Sequence, residues 1–108
     1  MIEDKFIIIY STFSNKEEAT NISSKLVDDG DVACANIFPP HTAIYKWNNE
    51  ICNDQEVSAI FKTKKSNFDK VKDSIIKLHS YDCPCVVSWD IDNANSPYAQ
   101  FILDMTST

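Results

Sequence analysis

The stretch that decides the fold runs from Val32 to Lys64. Its first arm reads Val32-Ala33-Cys34-Ala35-Asn36-Ile37-Phe38-Pro39-Pro40-His41-Thr42-Ala43-Ile44-Tyr45-Lys46-Trp47. Asn48-Asn49 follows, and asparagine tolerates the positive φ that a tight hairpin turn demands. The second arm continues to Lys64, with Val57, Ala59, Phe61 and Thr63 alternating against Ser58, Ile60 and Lys62, the period of a strand. Pro39-Pro40 bends or breaks the first arm, because proline cannot donate to a ladder. Two arms of roughly fifteen residues would extend to about 50 Å. A helix of about fourteen residues covers only about 21 Å. The far half of the hairpin, with Tyr45 and Trp47, therefore projects past anything this chain can lay over it. Free edges and exposed aromatics at such a tip invite association.

Working outward, Phe6 to Thr12 is an isoleucine-rich run suited to a buried strand. Ser14 and Glu17 have the spacing of a capping box, and Ala19, Ile22 and Leu26 recur at helical spacing. Gly30 stands where a left-handed residue ends that helix. Beyond the hairpin, Ser66 is placed to cap a second helix with the stripe Phe68, Val71, Ile75 and Leu78. A fourth strand is expected from Cys85 to Ile91. Asn95-Ser96-Pro97 opens a terminal helix, with Ser96 as cap, Pro97 in the first turn, and Tyr98, Phe101, Ile102 and Met105 on one face. The order is βαββαβ plus a helix: an α+β, ferredoxin-like split-βαβ arrangement with a long central hairpin, read as one domain over 1–108.

Composition narrows the function. The chain has 108 residues, 44% hydrophobic and 11% aromatic, enough for a core and too many for a disordered segment. Its one glycine, Gly30, excludes a glycine-rich phosphate cradle. All ten basic residues are lysines, against sixteen acids and a net charge of −6. Such a chain is repelled by a phosphate backbone and lacks the guanidinium fork that reads guanine, so no nucleic-acid partner is expected. The N-terminus has neither the basic start nor the long apolar run of a signal peptide, and no segment has the apolar length of a membrane span. The expectation is a cytoplasmic protein with reduced thiols and no membrane partner.

Ala33-Cys34-Ala35-Asn36, Pro39, Thr42-Ala43-Ile44-Tyr45-Lys46-Trp47, Glu56-Val57 and Phe61-Lys62-Thr63 follow one another in a register that resembles the CutA family of divalent-cation tolerance proteins. His79, Tyr81 and Pro84 match its segment between second helix and fourth strand; Tyr98, Phe101 and Ile102 match its terminal helix. The resemblance spans nearly the whole chain. It implies a ferredoxin-like subunit in a tight homotrimer whose hairpins extend the sheets of neighbouring subunits, and a role in tolerance of divalent metals, copper above all. Three positions depart from the family. Ser11 stands where a cysteine often precedes the threonine, Pro40 replaces a glycine, and Cys85 replaces a glutamate. The family positions discussed for metal contact match Ser11, His79 and Cys85, so two of the three are altered.

Cys83-Pro84-Cys85 is the most suggestive local feature. Residues two apart on a strand share a face, so both sulfurs can approach one soft ion, with His79 close in sequence. The alternative is structural: Cys85 packs in the sheet as a small buried hydrophobe and Cys83 ends a loop. Cys34 reads as a small packing residue and Cys52 as an exposed thiol near the turn. His41 sits in a loop where exposure is the default, and His79 has the place of a simple cation at a helix C-terminus. Glu56 and Lys62, six residues apart on one strand, face the same side. In the family the matching residues line a cleft between subunits, near Tyr81 and Trp47. They either bind a small polar ligand there or form an interface salt bridge under a packed ring. The acids Asp28, Asp29, Asp31, Asp90 and Asp92 read as solvated surface.

No nucleophile, base and orienting group occur together in the sequence, so a catalytic role is not expected. The leading expectation is a copper-binding, metal-tolerance homotrimer that requires no cofactor. The alternative is a trimeric sensor holding a metabolite between subunits, or an assembly module.

Overall fold

The computed structural model describes residues 4–106. The ends of the domain expected over 1–108 lie outside them. The chain runs β1 (Phe6–Phe13), α1 (Lys16–Asp28), β2 (Cys34–Ile37), β3 (His41–Trp47), β4 (Glu50–Lys64), α2 (Phe68–Leu78), β5 (Val86–Ile91) and α3 (Ser96–Met105). The strands pair antiparallel in the order β2-β4-β1-β5, and β3 pairs with the distal half of β4. This is the ferredoxin-like order, with the hairpin as its extension. The molecule is 51 Å long but only 25 by 23 Å across.

The register follows from the turn. Asn48 and Asn49 both have positive φ, 50° and 64°, the paired left-handed geometry whose twist suits a two-residue hairpin. That turn places Tyr45 opposite Cys52 and His41 opposite Glu56. The long first arm is two strands rather than one. Phe38 still donates its N–H to the Ser58 carbonyl at 2.9 Å, but Pro39 and Pro40 have no N–H to offer and the ladder stops until His41.

One face of the sheet carries Ile7, Ile9, Phe13, Val57, Ala59 and Phe61 against Ala19, Ile22 and Leu26 of α1 and Val71 and Ile75 of α2. This is the main core. Gly30, at φ 74°, ends α1 as expected. The opposite face is covered only in part, where Ala99 and Ile102 of α3 pack with Phe6 and Ala33. Beyond α3 that face presents Ile8, Tyr10 and Ile60, half-buried, and Val87 and Trp89, each 49% exposed.

Three caps differ from the sequence reading. Asn15, not Ser14, caps α1: its Oδ1 accepts the Glu18 N–H at 2.8 Å, and Glu18 rather than Glu17 reaches back to Ser14. Ser66 does not cap α2; it lies inside a 3-10 turn, Lys65–Asn67, and the cap position is Asn67. The Asn67 amide donates instead to the Asp31 carbonyl at 3.1 Å and to Thr63 at 3.2 Å, tying the end of β4 to the loop after α1. In α3 the cap is Asn95, with Ser96 already helical.

A cavity at the base of the hairpin

Where β3 and β4 leave the body of the sheet, the segment between α2 and β5 folds over them. Together they enclose a cleft of about 700 Å³ whose walls include Tyr10, Thr12, His41, Tyr45, Trp47, Glu56, Tyr81, Asp82, Cys83 and Cys85. Glu56 is its centre. The Tyr81 hydroxyl donates to Glu56 Oε2 at 2.8 Å, and burial, reinforced by that bond, pushes the Tyr81 phenol well above its ordinary range. Further out, the Tyr45 hydroxyl donates to Asp54 Oδ2 at 2.5 Å, which pushes the Tyr45 phenol up to about 12. Among the described residues, no lysine lines the cleft.

The cavity wall is positioned by His79, whose place after α2 suggested a simple group at a helix C-terminus and which is instead packed inside. Its side chain is wholly buried, stacked on Phe13 with ring centroids 5.0 Å apart. The Tyr81 N–H donates to Nδ1 at 3.1 Å, so Nε2 carries the proton and donates to the Thr12 carbonyl at 2.7 Å. Glu18 Oε2 accepts the Ser80 N–H at 3.2 Å from the neighbouring helix. His79 thus clamps the 80–85 segment to β1 and α1, and its two nitrogens are spent on backbone groups.

Glu56, Tyr81 and Trp47 line one cleft together with Cys83 and Cys85. Cys85 is half-buried and Cys83 exposed. Burial pushes the Cys85 thiol up, and the neighbouring charges of Glu56 and Cys83 push it the same way. The Cys85 carbonyl accepts from Ser11 Oγ at 2.6 Å, so a hydroxyl at that position fastens β1 to the cysteine segment. Lys62 is not brought in. It shares a strand face with Glu56 but lies about 20 Å along it. Its amine donates to Asn36 Oδ1 at 3.3 Å and sits 5.4 Å over the Tyr98 ring. Among the described residues, no three His, Cys, Asp or Glu side chains form a ready-made metal cage.

Two features escaped the sequence reading. The Cys34 thiol is 3.4 Å from the Tyr98 hydroxyl, a contact across 64 residues with no local signal. His41 is half-buried, not loop-exposed, and its Nε2 is buried with no hydrogen-bond partner among the described residues. The signal for His41 lay in the turn: counting back from Asn48-Asn49 puts it directly across from Glu56.

The class is that of small ferredoxin-like subunits with an overlong hairpin, here with a carboxylate–tyrosine cavity at its base. The family is then fixed by comparison. The profile described as CutA1 divalent ion tolerance protein matches residues 7–105, and the chain belongs to that family. The divalent-cation tolerance protein CutA of Pyrococcus horikoshii is 36% identical over 100 residues, covering 93% of this chain and 97% of that protein. The crystal structure of CutA1 from Ehrlichia chaffeensis superposes with a TM-score of 0.93 at 33% identity, covering 99% of this chain and all of that one. The Archaeoglobus fulgidus CutA structure, described as that of a periplasmic divalent cation tolerance protein, gives 0.90 at 30% identity over 93% of this chain and 97% of its own. No helix among the described residues is long and apolar enough to cross a membrane.

Proposed function

We propose that this protein acts in metal tolerance by binding rather than by catalysis, as a homotrimer that takes up copper through Cys83 and Cys85. The observation that carries the reading is the placement of both cysteines in the wall of the Glu56–Tyr81 cavity. Thiolates select soft ions, and the family's glutamate position is a cysteine here. The trimer is supported by the half-covered sheet face with Val87 and Trp89, and by the hairpin, whose Ile44 and Ile51 are 70% and 76% exposed. Four free cysteines suit a reducing, cytoplasmic setting. Native mass spectrometry gives the subunit count, and a Cu(I) competition titration under reducing conditions compares the protein with its Cys83→Ser/Cys85→Ser variant. A trimer whose Cu(I) affinity collapses in the variant is expected; equal affinities make the segment structural.

A second reading, a metabolite held in the same cavity between subunits, is favoured by the Glu56–Tyr81 pair. There the metal-free trimer gains thermal stability on adding the ligand, and Glu56→Gln abolishes the gain.

A further inference from the structure

We infer that His41, and not His79, is the imidazole partner of Cys83 and Cys85 in soft-metal binding; this rests on the copper reading above.

The argument begins with exclusion. His79 is the histidine nearest the cysteines in sequence, yet Nε2 donates to Thr12 and Nδ1 accepts from Tyr81. Freeing either nitrogen for an ion would break the clamp that holds the cysteine segment in place. His41 has the opposite character. It lines the same cavity as Cys83 and Cys85, and its Nε2 is buried yet unpartnered among the described residues. An imidazole nitrogen removed from water without a partner costs free energy that a ligand bond would recover.

The donor set then selects the ion. Two thiolates and one imidazole suit Cu(I). A structural Zn(II) site would want a fourth ligand, which in this cleft would be the carboxylate of Glu56 or Asp82, whereas Cu(I) needs no such hard oxygen beside the soft donors. The donors are not gathered into a cage. Closing them on a low-coordinate ion asks for rotation of Cys83, exposed on the bend before Pro84, and of the His41 ring. His41 is held on β3 directly opposite Glu56, whose side chain reaches the same cleft.

The test is a Cu(I) competition titration on the whole protein under reducing conditions, with His41→Gln, His41→Cys and Cys83→Ser/Cys85→Ser, each checked for mass and fold. His41→Gln should weaken Cu(I) by about tenfold or more, and His41→Cys should restore it by returning a soft donor. Nitrogen NMR should move the His41 Nε2 resonance on adding Cu(I) and leave that of His79 in place. If His41→Gln binds Cu(I) as the unaltered protein does while the double cysteine variant does not, the His41 assignment is overturned and the copper reading stands. If the double cysteine variant also keeps its affinity, the copper reading itself falls. If His41→Gln dissociates the assembly at unchanged affinity per chain, His41 belongs to a contact between copies and the assignment is overturned.

Discussion

The two faces of one sheet have opposite fates. The face under α1 and α2 is finished within the chain: Phe13, Phe61, Ile7 and Ile9 are all buried against helix residues. The other face and the hairpin are unfinished, with Trp89 and Trp47 left about half exposed and Ile44 more so. The same alternating strands serve both, so the difference comes from what the chain has left to cover them. Helices of thirteen and eleven residues span the body of the sheet, but β4 alone is fifteen residues long. Folding within the chain uses the first surface, and the second is the one the proposed trimer would cover.

The sharpest way to break this comparison is to truncate one anchor on each side. Phe61→Ala, in the finished core, should cost about 3–5 kcal/mol and lower the denaturant midpoint whatever the assembly state. Trp47→Ala should do the reverse. Its ring is half exposed within the chain, so far-ultraviolet circular dichroism should stay native while, for the trimer proposed above, light scattering should show the mass falling toward the monomer. A Trp47→Ala protein that keeps its mass would mean that the hairpin does not hold the assembly.

How much of this was legible beforehand depended on whether the signal was local. The hairpin, its asparagine turn and Gly30 were readable because each depends on the φ range of its own residue. The cavity membership of Glu56, Tyr81 and Trp47 came with the family resemblance. Lys62 lies far from Glu56 within one chain; strand alternation gives a side but not a distance. His79 was misread because its role is made by three elements meeting, with Thr12, Tyr81 and Glu18 scattered over 69 positions of sequence.

A smaller effect tests the cavity. The Tyr81 phenol holds its proton to higher pH in the folded chain than its ordinary 10.0. Its contribution to stability is therefore complete below pH 10.0 and is lost as pH rises through the raised value. Tyrosinate absorbance should show Tyr81 ionising after the exposed phenols, and Glu56→Gln should bring it earlier by removing the carboxylate it bonds. If Glu56→Gln leaves the Tyr81 titration unmoved, burial alone sets it and the hydrogen bond is incidental. The same variant separates the two uses of Glu56, since loss of heat stability without loss of ligand binding marks a structural group.

The smallest predicted effect lies in the finished half and concerns which residue starts α1. Ser14 has the sequence spacing, three residues before Glu17, but Asn15 is the residue whose side chain meets the free Glu18 N–H. The shift by one residue fits burial: Lys16 as the first helical residue brings Ala19, Ile22, Ser23 and Leu26 onto the core face together. It also places Glu18, rather than Glu17, beside Ser80 and His79, where it joins the clamp behind the cavity. Asn15→Ala should therefore cost about 1 kcal/mol in chemical denaturation. Ser14→Ala should cost much less, because its contacts with Glu18 are exposed and long at 3.4 and 3.5 Å. Equal costs for the two would show that the start of α1 is shared between them and that packing against Ile22 and Leu26, not the cap, sets its phase.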